Sequence, residues 1–91
     1  MSEPVRRRVV VHGNVQGVFF RDTARREAEA RGVAGWITNR PDGAVEAVFE
    51  GNPDAVAALV EFCRRGPRGA DVDSIDDTGE EPEGLSGFQI R

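Results

Sequence analysis

A glycine-punctuated segment near the N-terminus has the residue types and spacing of a phosphate-binding turn. Residues 13–21 have the sequence Gly-Asn-Val-Gln-Gly-Val-Phe-Phe-Arg and lie between an apolar strand pattern and a helical pattern. Backbone N–H groups in such a turn can converge on one anion, and the N-terminus of the next helix adds positive potential. Arg21 ends the segment with a planar, permanently charged guanidinium that suits phosphate oxygens. The segment therefore predicts an anion site made of backbone amides and one arginine.

Two further segments follow the first helical pattern and turn this prediction into a family resemblance. They are Gly35-Trp36-Ile37-Thr38-Asn39 and, soon after it, Asp42-Gly43-Ala44-Val45-Glu46. With the loop, in this order and spacing, they resemble the acylphosphatase family, and the closing Gly87-Phe88-Gln89-Ile90-Arg91 is similar to that family's C-terminal strand. The resemblance covers about residues 6 to 91, and the nine-residue loop is its specific part. Gly-Trp alone would be a weak match, and Asp-Gly alone indicates only a turn.

The resemblance implies an activity and a role for individual residues. It implies an enzyme that hydrolyses acyl phosphates to a carboxylate and inorganic phosphate. We expect no cofactor and no metal, because a metal is dispensable if other groups neutralise the phosphoryl oxygens. Arg21 matches the arginine that binds the phosphoryl group, and Asn39 matches the asparagine that positions the attacking water. The residues that match the family's phosphate-binding loop are Asn14, Val15, Gln16, Gly17, Val18, Phe19 and Phe20.

The chemistry of acyl phosphates is compatible with so small a set of groups. These compounds are mixed anhydrides whose leaving group is a carboxylate, a weak base that departs without being protonated, so no strong general acid is needed. Catalysis then requires that the phosphoryl group is held and that a water is aimed at phosphorus in line with the leaving oxygen. Backbone N–H groups and a guanidinium can do the first, and a neutral amide that both donates and accepts can do the second.

Each candidate residue also has a purely structural interpretation. Arg21 could be an exposed residue of the first helical turn, and Asn39 could simply begin the turn at residues 40–43, where asparagine is common. Gln16 could hold the loop in shape through its side chain rather than touch a substrate. His12 lies beside the loop, but we interpret it as a strand residue, because the chemistry needs no strong base and the family motif does not include it.

Composition restricts the partners and the compartment. Ninety-one residues predict one domain spanning 1–91, and a net charge of −4 with a pI of about 4.9 disfavours nucleic acid and anionic membranes as partners. All twelve basic residues are arginine, so lysine-based Schiff-base chemistry is excluded. The single Cys63 can form no internal disulfide, and no apolar segment approaches membrane-spanning length. From composition we expect a cytoplasmic protein and, from its size, a monomer. The acylphosphatase resemblance implies a free-standing enzyme that acts on a small-molecule acyl phosphate and releases inorganic phosphate.

The periodicity of the apolar residues predicts an α+β fold. Strands are predicted at 7–13, 33–39, 44–50, 70 to about 78, and at Phe88 and Ile90, and helices at 20–31 and from 53 to the Gly66-Pro67 stop. This order is the ferredoxin-like split β-α-β-β-α-β sandwich, an antiparallel sheet with two helices on one face and a short extra C-terminal strand. The resemblance implies the same fold.

Individual positions within these elements carry further expectations. Phe20, Ala24 and Ala28 should form the buried face of the first helix, and Val56, Leu59, Val60 and Cys63 that of the second. We expect Trp36, Phe49 and Phe62 in the core. Val72 and Ile75 are out of period-two phase, so their strand should contain a bulge or bend. Residues 71–83 contain seven carboxylates, which we interpret as a solvated face.

Three other functions fit a domain of this class less well. A non-catalytic anion-binding or regulatory module would keep the loop and Arg21 but would not need Asn39. A single-stranded RNA binder would need a basic balance and aromatic strand motifs that are missing here. A metal chaperone would need a Cys-x-x-Cys loop, and the chain has one cysteine.

Overall fold

The computed structural model describes residues 3–91, which form a five-stranded sheet and two helices. In chain order the elements are β1 (Val5–Asn14), α1 (Phe20–Ala30), β2 (Ala34–Asn39), β3 (Val45–Gly51), α2 (Pro53–Arg65), β4 (Asp71–Glu80) and β5 (Phe88–Ile90). The sequence prediction of the element order and of the α+β class is confirmed. Most element boundaries differ from the predicted ones by one or two residues, as is usual at frayed ends.

The strand order in the sheet is β4-β1-β3-β2-β5. β1 pairs antiparallel with β3 and β4, and β2 pairs antiparallel with β3. The short β5 runs parallel to β2, so the extra C-terminal strand makes the sheet mixed. α1 packs on β2 and β5, and α2 packs on β1, β3 and β4. Both helices therefore cover the same face, and the β1–α1 connection emerges beside the end of β2.

The core lies between this face of the sheet and the helices. Phe20, Ala24 and Ala28 are the buried residues of α1, and the predicted stripe of α2 is buried together with Phe62. Phe20 packs edge-on against Phe62 with ring centroids 5.6 Å apart, which joins the two helices. Each fully buried side chain of this size contributes about 1.5–3 kcal/mol to folding. The start of α1, and with it the loop before it, is thus fixed by the core.

A β-bulge in β4 lies opposite the end of β1. The register passes from His12–Ser74 to Gly13–Val72, so Asp73 is left without a partner. The expectation of a bulge is confirmed, and it explains the phase shift, since both Val72 and Ile75 pack against the core. A side chain at Gly13 would place its Cβ 2.2 Å from the carbonyl oxygen of Asp71, at a φ of +133°. Only glycine fits where β1 leads into the loop.

The acidic segment is a partner for the arginines of β1 rather than a uniformly solvated face. Arg6 and Arg8 both bind Glu80, with N–O distances of 2.9 Å and 2.7 Å. Arg7, on the helix-covered face, binds Asp77 at 2.7 Å. These ion pairs run along the antiparallel β1–β4 ladder. The charges of this segment therefore hold an edge strand that has little apolar surface to bury.

Trp36 does not lie in the core between sheet and helices, in contrast to Phe49 and Phe62. It is half-buried, with the guanidinium carbons of Arg8 and Arg91 at 5.5 Å and 4.8 Å from its ring centroid. Its neighbour in sequence, Ile37, is fully buried in the core. Since side chains alternate along a strand, Trp36 belongs to the opposite, helix-free face. There the two arginines cover it through cation–π contacts.

Candidate active site

The loop between β1 and α1 comprises residues 15–19 and has a tightly bent backbone. Val15 is 1% exposed and anchors the loop in the core. Gly17 has a φ of +77°, and Phe19 has φ 59° and ψ 26°, in the left-handed region. Left-handed residues that alternate with right-handed ones turn successive N–H groups toward one side of the chain. The backbone therefore has the form expected of an anion-binding loop.

The N-terminus of α1 is open, whereas that of α2 is closed by a side chain. At α2, the Asn52 side chain accepts hydrogen bonds from the amides of Asp54 and Ala55, at 2.9 Å and 3.4 Å. At α1, the N-cap residue is Phe19, which has no side-chain acceptor to offer. The first N–H groups of a helix have no partner within the helix. At α1 they remain available to an anion, with the helix dipole in their favour.

Gln16 fastens the loop to the turn that follows β2. Its side-chain nitrogen donates to the carbonyl oxygens of Arg40 and Ala44, at 2.8 Å and 2.9 Å. Its side chain thus holds the loop in shape, while a part of Gln16 in binding phosphate stays a prediction. The two donated hydrogens link the loop before Arg21 to the turn after Asn39, so they fix the distance between these two elements.

Arg21 lies in the first turn of α1 with a half-buried side chain. Among residues 3–91 the ion pairs of the first turn involve Asp22 instead, which contacts Arg25 and Arg26 at 3.1 Å each. The carboxylate beside Arg21 is thus neutralised by other arginines. Arg21 itself makes none of the ion pairs found in the described residues, so no internal carboxylate occupies its guanidinium.

Asn39 is the last residue of β2 and lies opposite Val45 of β3. The turn after it is closed without its side chain: Asp42 accepts a hydrogen bond from the amide of Ala44 at 3.0 Å, and Arg40 exchanges backbone bonds with Ala44 and Gly43. Within the described residues the side-chain amide of Asn39 makes no hydrogen bond. The turn therefore gives no structural reason for an asparagine at this position.

Arg21 and Asn39 line one cleft of about 270 Å³. The other lining residues are Val15, Gly17, Phe19, Phe20, Asp22 and Ile90. The structure thus brings together both predicted catalytic residues and four of the predicted loop residues. The predicted Asn14, Gln16 and Val18 do not line this cleft. Its volume lies just below the roughly 300–1,000 Å³ of sites for drug-sized ligands, which suits a small phosphorylated molecule.

Sequence analysis missed Ile90 and Asp22 as cleft residues. Ile90 reaches the cleft because β5 pairs in parallel with β2, which puts Ile90 opposite Ile37 and near the end of the strand that carries Asn39. Three residues of strand pattern do not reveal which strand they will pair with. Asp22 follows Arg21 directly in the helix, so its position could have been inferred from the loop.

The two other reactive side chains are engaged elsewhere. His12 contacts Asp76 at 2.9 Å across β1 and β4, which confirms its interpretation as a strand residue. Cys63 is fully buried, and burial raises the pKa of its thiol to about 12. Such a thiol stays protonated at neutral pH and is a poor nucleophile. Among residues 3–91 no group of His, Cys, Asp or Glu is arranged to hold a metal, and no helix is long and apolar enough to cross a membrane.

Comparison with known proteins identifies the family. A family model described as acylphosphatase matches residues 7–90. This chain belongs to the acylphosphatase family. The acylphosphatase of Gloeobacter violaceus is 51% identical over 90 residues, covering 99% of this chain and 97% of the relative. That of Haloarcula marismortui is 52% identical over 87 residues, covering 94% of each.

Solved acylphosphatase structures have the same fold. The crystal structure of the enzyme from Bacillus subtilis superposes with a TM-score of 0.91 at 39% identity, covering 96% of this chain and 98% of the other. The acylphosphatase of Coxiella burnetii gives a TM-score of 0.92 at 36% identity, covering 97% and 93%. The ferredoxin-like fold is confirmed, and the chain is an enzyme of the acylphosphatase family.

Proposed function

We propose that this chain hydrolyses acyl phosphates through Arg21, Asn39 and the amides of the loop at residues 14–20. One observation carries the proposal: Arg21 makes no ion pair within the described residues, Asn39 makes no side-chain hydrogen bond there, and both line one cleft. A guanidinium without an internal carboxylate partner, such as that of Arg21, suits a site for an external anion. A side-chain amide without an internal hydrogen bond, such as that of Asn39, suits a site for a bound water.

The phosphoryl group binds at the N-terminus of α1. Arg21 forms a bidentate, charge-assisted contact with two phosphoryl oxygens, and the loop amides and the open first turn of the helix donate to the same group. These donors neutralise the charge that a metal ion would otherwise balance. They are held before the substrate arrives, because Val15 and Phe20 anchor both ends of the loop in the core. Preorganised donors of this kind cost no reorganisation during the reaction.

The water is positioned by Asn39. The side-chain oxygen accepts one hydrogen of the water, and the amide nitrogen donates toward the substrate, so that the water's lone pair faces phosphorus. The water oxygen bonds to phosphorus while the bond between phosphorus and the acyl oxygen breaks, and its electron pair leaves with the carboxylate. Both protons of the water stay at first on the phosphate product, which leaves as dihydrogen phosphate and exchanges a proton with the solvent. No strong acid or base is needed, which agrees with the positions of His12 and Cys63 outside the cleft.

Release of phosphate from benzoyl phosphate and acetyl phosphate, followed with and without excess EDTA, tests this function. We expect turnover of both, undiminished by the chelator. A protein that binds phosphate without turning over either compound would instead be a non-catalytic anion-binding module. In that case Asn39→Ala would leave phosphate binding unchanged, whereas Arg21→Ala would still abolish it.

A further inference from the structure

Two large apolar side chains are exposed in the described part of the chain, and both line the cleft. Phe19 is 80% exposed and Ile90 is 36% exposed. Isolated exposed apolar side chains are ordinary on protein surfaces and need no explanation. Here the two coincide at the site that also contains Arg21 and Asn39. The cleft therefore has a charged end at α1 and an apolar flank made by these two residues.

Phe19 has a backbone conformation that is unfavourable for a residue with a bulky side chain. It is the one non-glycine residue with positive φ in residues 3–91. A left-handed conformation is unusual for a bulky side chain, and glycine or asparagine would adopt it with less strain. Such outliers persist where the surroundings fix them, and they cluster at functional sites. The bend of the loop explains the conformation, but not the choice of a phenylalanine there.

Ile90 approaches the cleft from the other side. It lies opposite Ile37 in the parallel β5–β2 pair, and Ile37 is two residues before Asn39 on the same face of the strand. Exposed Gln89, the neighbour of Ile90 in β5, belongs to the opposite face of the sheet. The apolar flank is therefore made by two separate elements, which meet only in the folded chain.

We propose that Phe19 and Ile90 bind the acyl group of the substrate and favour aromatic or branched apolar acyl groups over acetyl and carbamoyl groups. This deepens the function proposed above and rests on it, because the phosphoryl group at Arg21 is what directs the acyl group toward the flank. The cleft of about 270 Å³ has room for both parts of a small substrate. The acyl group contributes no charge to be satisfied, so shape and apolar contact decide its affinity.

Calorimetry can test acyl-group binding separately from catalysis. The ligands are two non-hydrolysable analogues, acetylphosphonate and benzoylphosphonate. We expect the protein to bind benzoylphosphonate about ten-fold more tightly, the gain from burying roughly 55 Å² of apolar surface at about 25 cal/mol per Å². Phe19→Asn, which tolerates the left-handed backbone, and Ile90→Ser should each reduce this ratio. Gln89→Ser, on the other face of the same strand, should leave it unchanged.

Three outcomes would contradict the proposed acyl site. The first is equal affinity of the unmodified protein for both phosphonates. The second is an affinity ratio that is unchanged in both Phe19→Asn and Ile90→Ser, and the third is that these variants lose affinity for both compounds equally. The last would mean that the residues only shape the loop. Turnover of benzoyl and acetyl phosphate separates this from the proposed function. Selective binding without turnover refutes hydrolysis and keeps the acyl site, whereas turnover with equal affinity for both refutes the acyl site and keeps hydrolysis.

Discussion

The side-chain amide of Gln16 donates a hydrogen bond of 2.8 Å to the carbonyl oxygen of Arg40, 24 positions later in the chain. With the second bond, to Ala44, it ties the loop that precedes Arg21 to the turn that follows Asn39. The relative position of the two proposed catalytic residues thus depends on a residue that lies outside the cleft lining.

Gln16→Ala should lower both stability and turnover. Loss of two hydrogen bonds to backbone carbonyls should cost about 1–3 kcal/mol of unfolding free energy, and kcat should fall about ten-fold as the loop shifts. Gln16→Glu should be no better, since an ionised carboxylate cannot donate to the two carbonyl oxygens. Urea denaturation and steady-state kinetics at a temperature where the variant is folded would measure both effects. Loss of stability with unchanged kcat would show that the bonds do not position the site.

Arg21→Ala should lower kcat/KM about 10²–10³-fold, and Arg21→Lys should restore little, because lysine lacks the planar pair of donors. The substitution should also remove the effect of phosphate on stability. At ten times its Kd, phosphate should stabilise the unmodified protein by roughly 1.4 kcal/mol, which for a domain of this size raises Tm by several degrees. Thermal unfolding in phosphate, with chloride at equal ionic strength as control, measures this shift. A phosphate shift that persists in Arg21→Ala would place the anion site elsewhere.

Asn39→Ala should lower kcat about 10²-fold while KM changes by no more than a few-fold, because a residue that aims the water acts mainly in the transition state. The thermal shift with phosphate should survive, which distinguishes this variant from Arg21→Ala. The fold should be unaffected, since the side chain makes no hydrogen bond within the described residues. If KM carried the whole loss, Asn39 would contact the substrate rather than the water.

Activity should not depend on a metal. The proposed donors are the loop amides and Arg21, and a guanidinium supplies the charge that Mg²⁺ or Zn²⁺ would otherwise provide. We expect kcat measured in excess EDTA to equal that of the untreated protein, since no metal takes part in the proposed reaction. Reactivation of a chelated sample by added Mg²⁺ or Zn²⁺ would contradict the mechanism.

Glu50 should contribute a pH-dependent part of the stability. Its side chain is buried and accepts hydrogen bonds of 2.8 Å from the amides of Glu83 and Leu85, while Arg6 lies 3.5 Å away. Burial alone would raise the pKa of Glu50, but the backbone amides and Arg6 outweigh it and lower the pKa below its ordinary value. The ionised form is favoured in the folded state, so its contribution is full above about pH 4.5 and is lost as pH falls through the lowered pKa.

Glu50→Gln should therefore be less stable at pH 7, by about 3 kcal/mol, the lower end of the range for losing one partner of a buried pair. Its stability should also fall less steeply below about pH 4.5 than that of the unmodified chain. Denaturation curves at several pH values would compare the two slopes. Parallel slopes would show that Glu50 does not titrate differently in the folded and unfolded states.

The fold could be predicted from the sequence because local patterns and chain order agree. The apolar spacing of α2, with Asn52 and Pro53 at its start, specifies one helix and one buried face. The phase shift between Val72 and Ile75 even indicated the bulge. The prediction that Trp36 lies in the core was wrong. Alternation along a strand tells which residues share a face of the sheet, but not which face the helices cover. Here two arginines cover the ring of Trp36 on the helix-free face.

The site was predictable in part. Arg21 and Asn39 belong to motifs, and the structure brings them to one cleft. The position of Ile90 depends on the pairing of β5 with β2, which are far apart in the sequence. Just beyond this pairing, the Thr38 hydroxyl donates to the carbonyl oxygen of Arg91, 53 residues later. The positive φ of Phe19 is likewise set by the surrounding loop and not by the residue's own preference. Monomeric state and cytoplasmic location stay predictions.

The ion pairs between β1 and β4 have a chemical consequence for an enzyme of this family. Acyl phosphates are anhydrides, and unprotonated amines attack anhydrides as readily as water does. A lysine at Arg7 or Arg8, whose side chains are partly exposed, would be open to acylation, which would remove its charge and weaken the hold on the carboxylates of Asp77 and Glu80. Guanidinium groups stay protonated and do not react in this way. With arginine as its only basic side chain besides His12, the protein offers its proposed substrate no side-chain amine to modify.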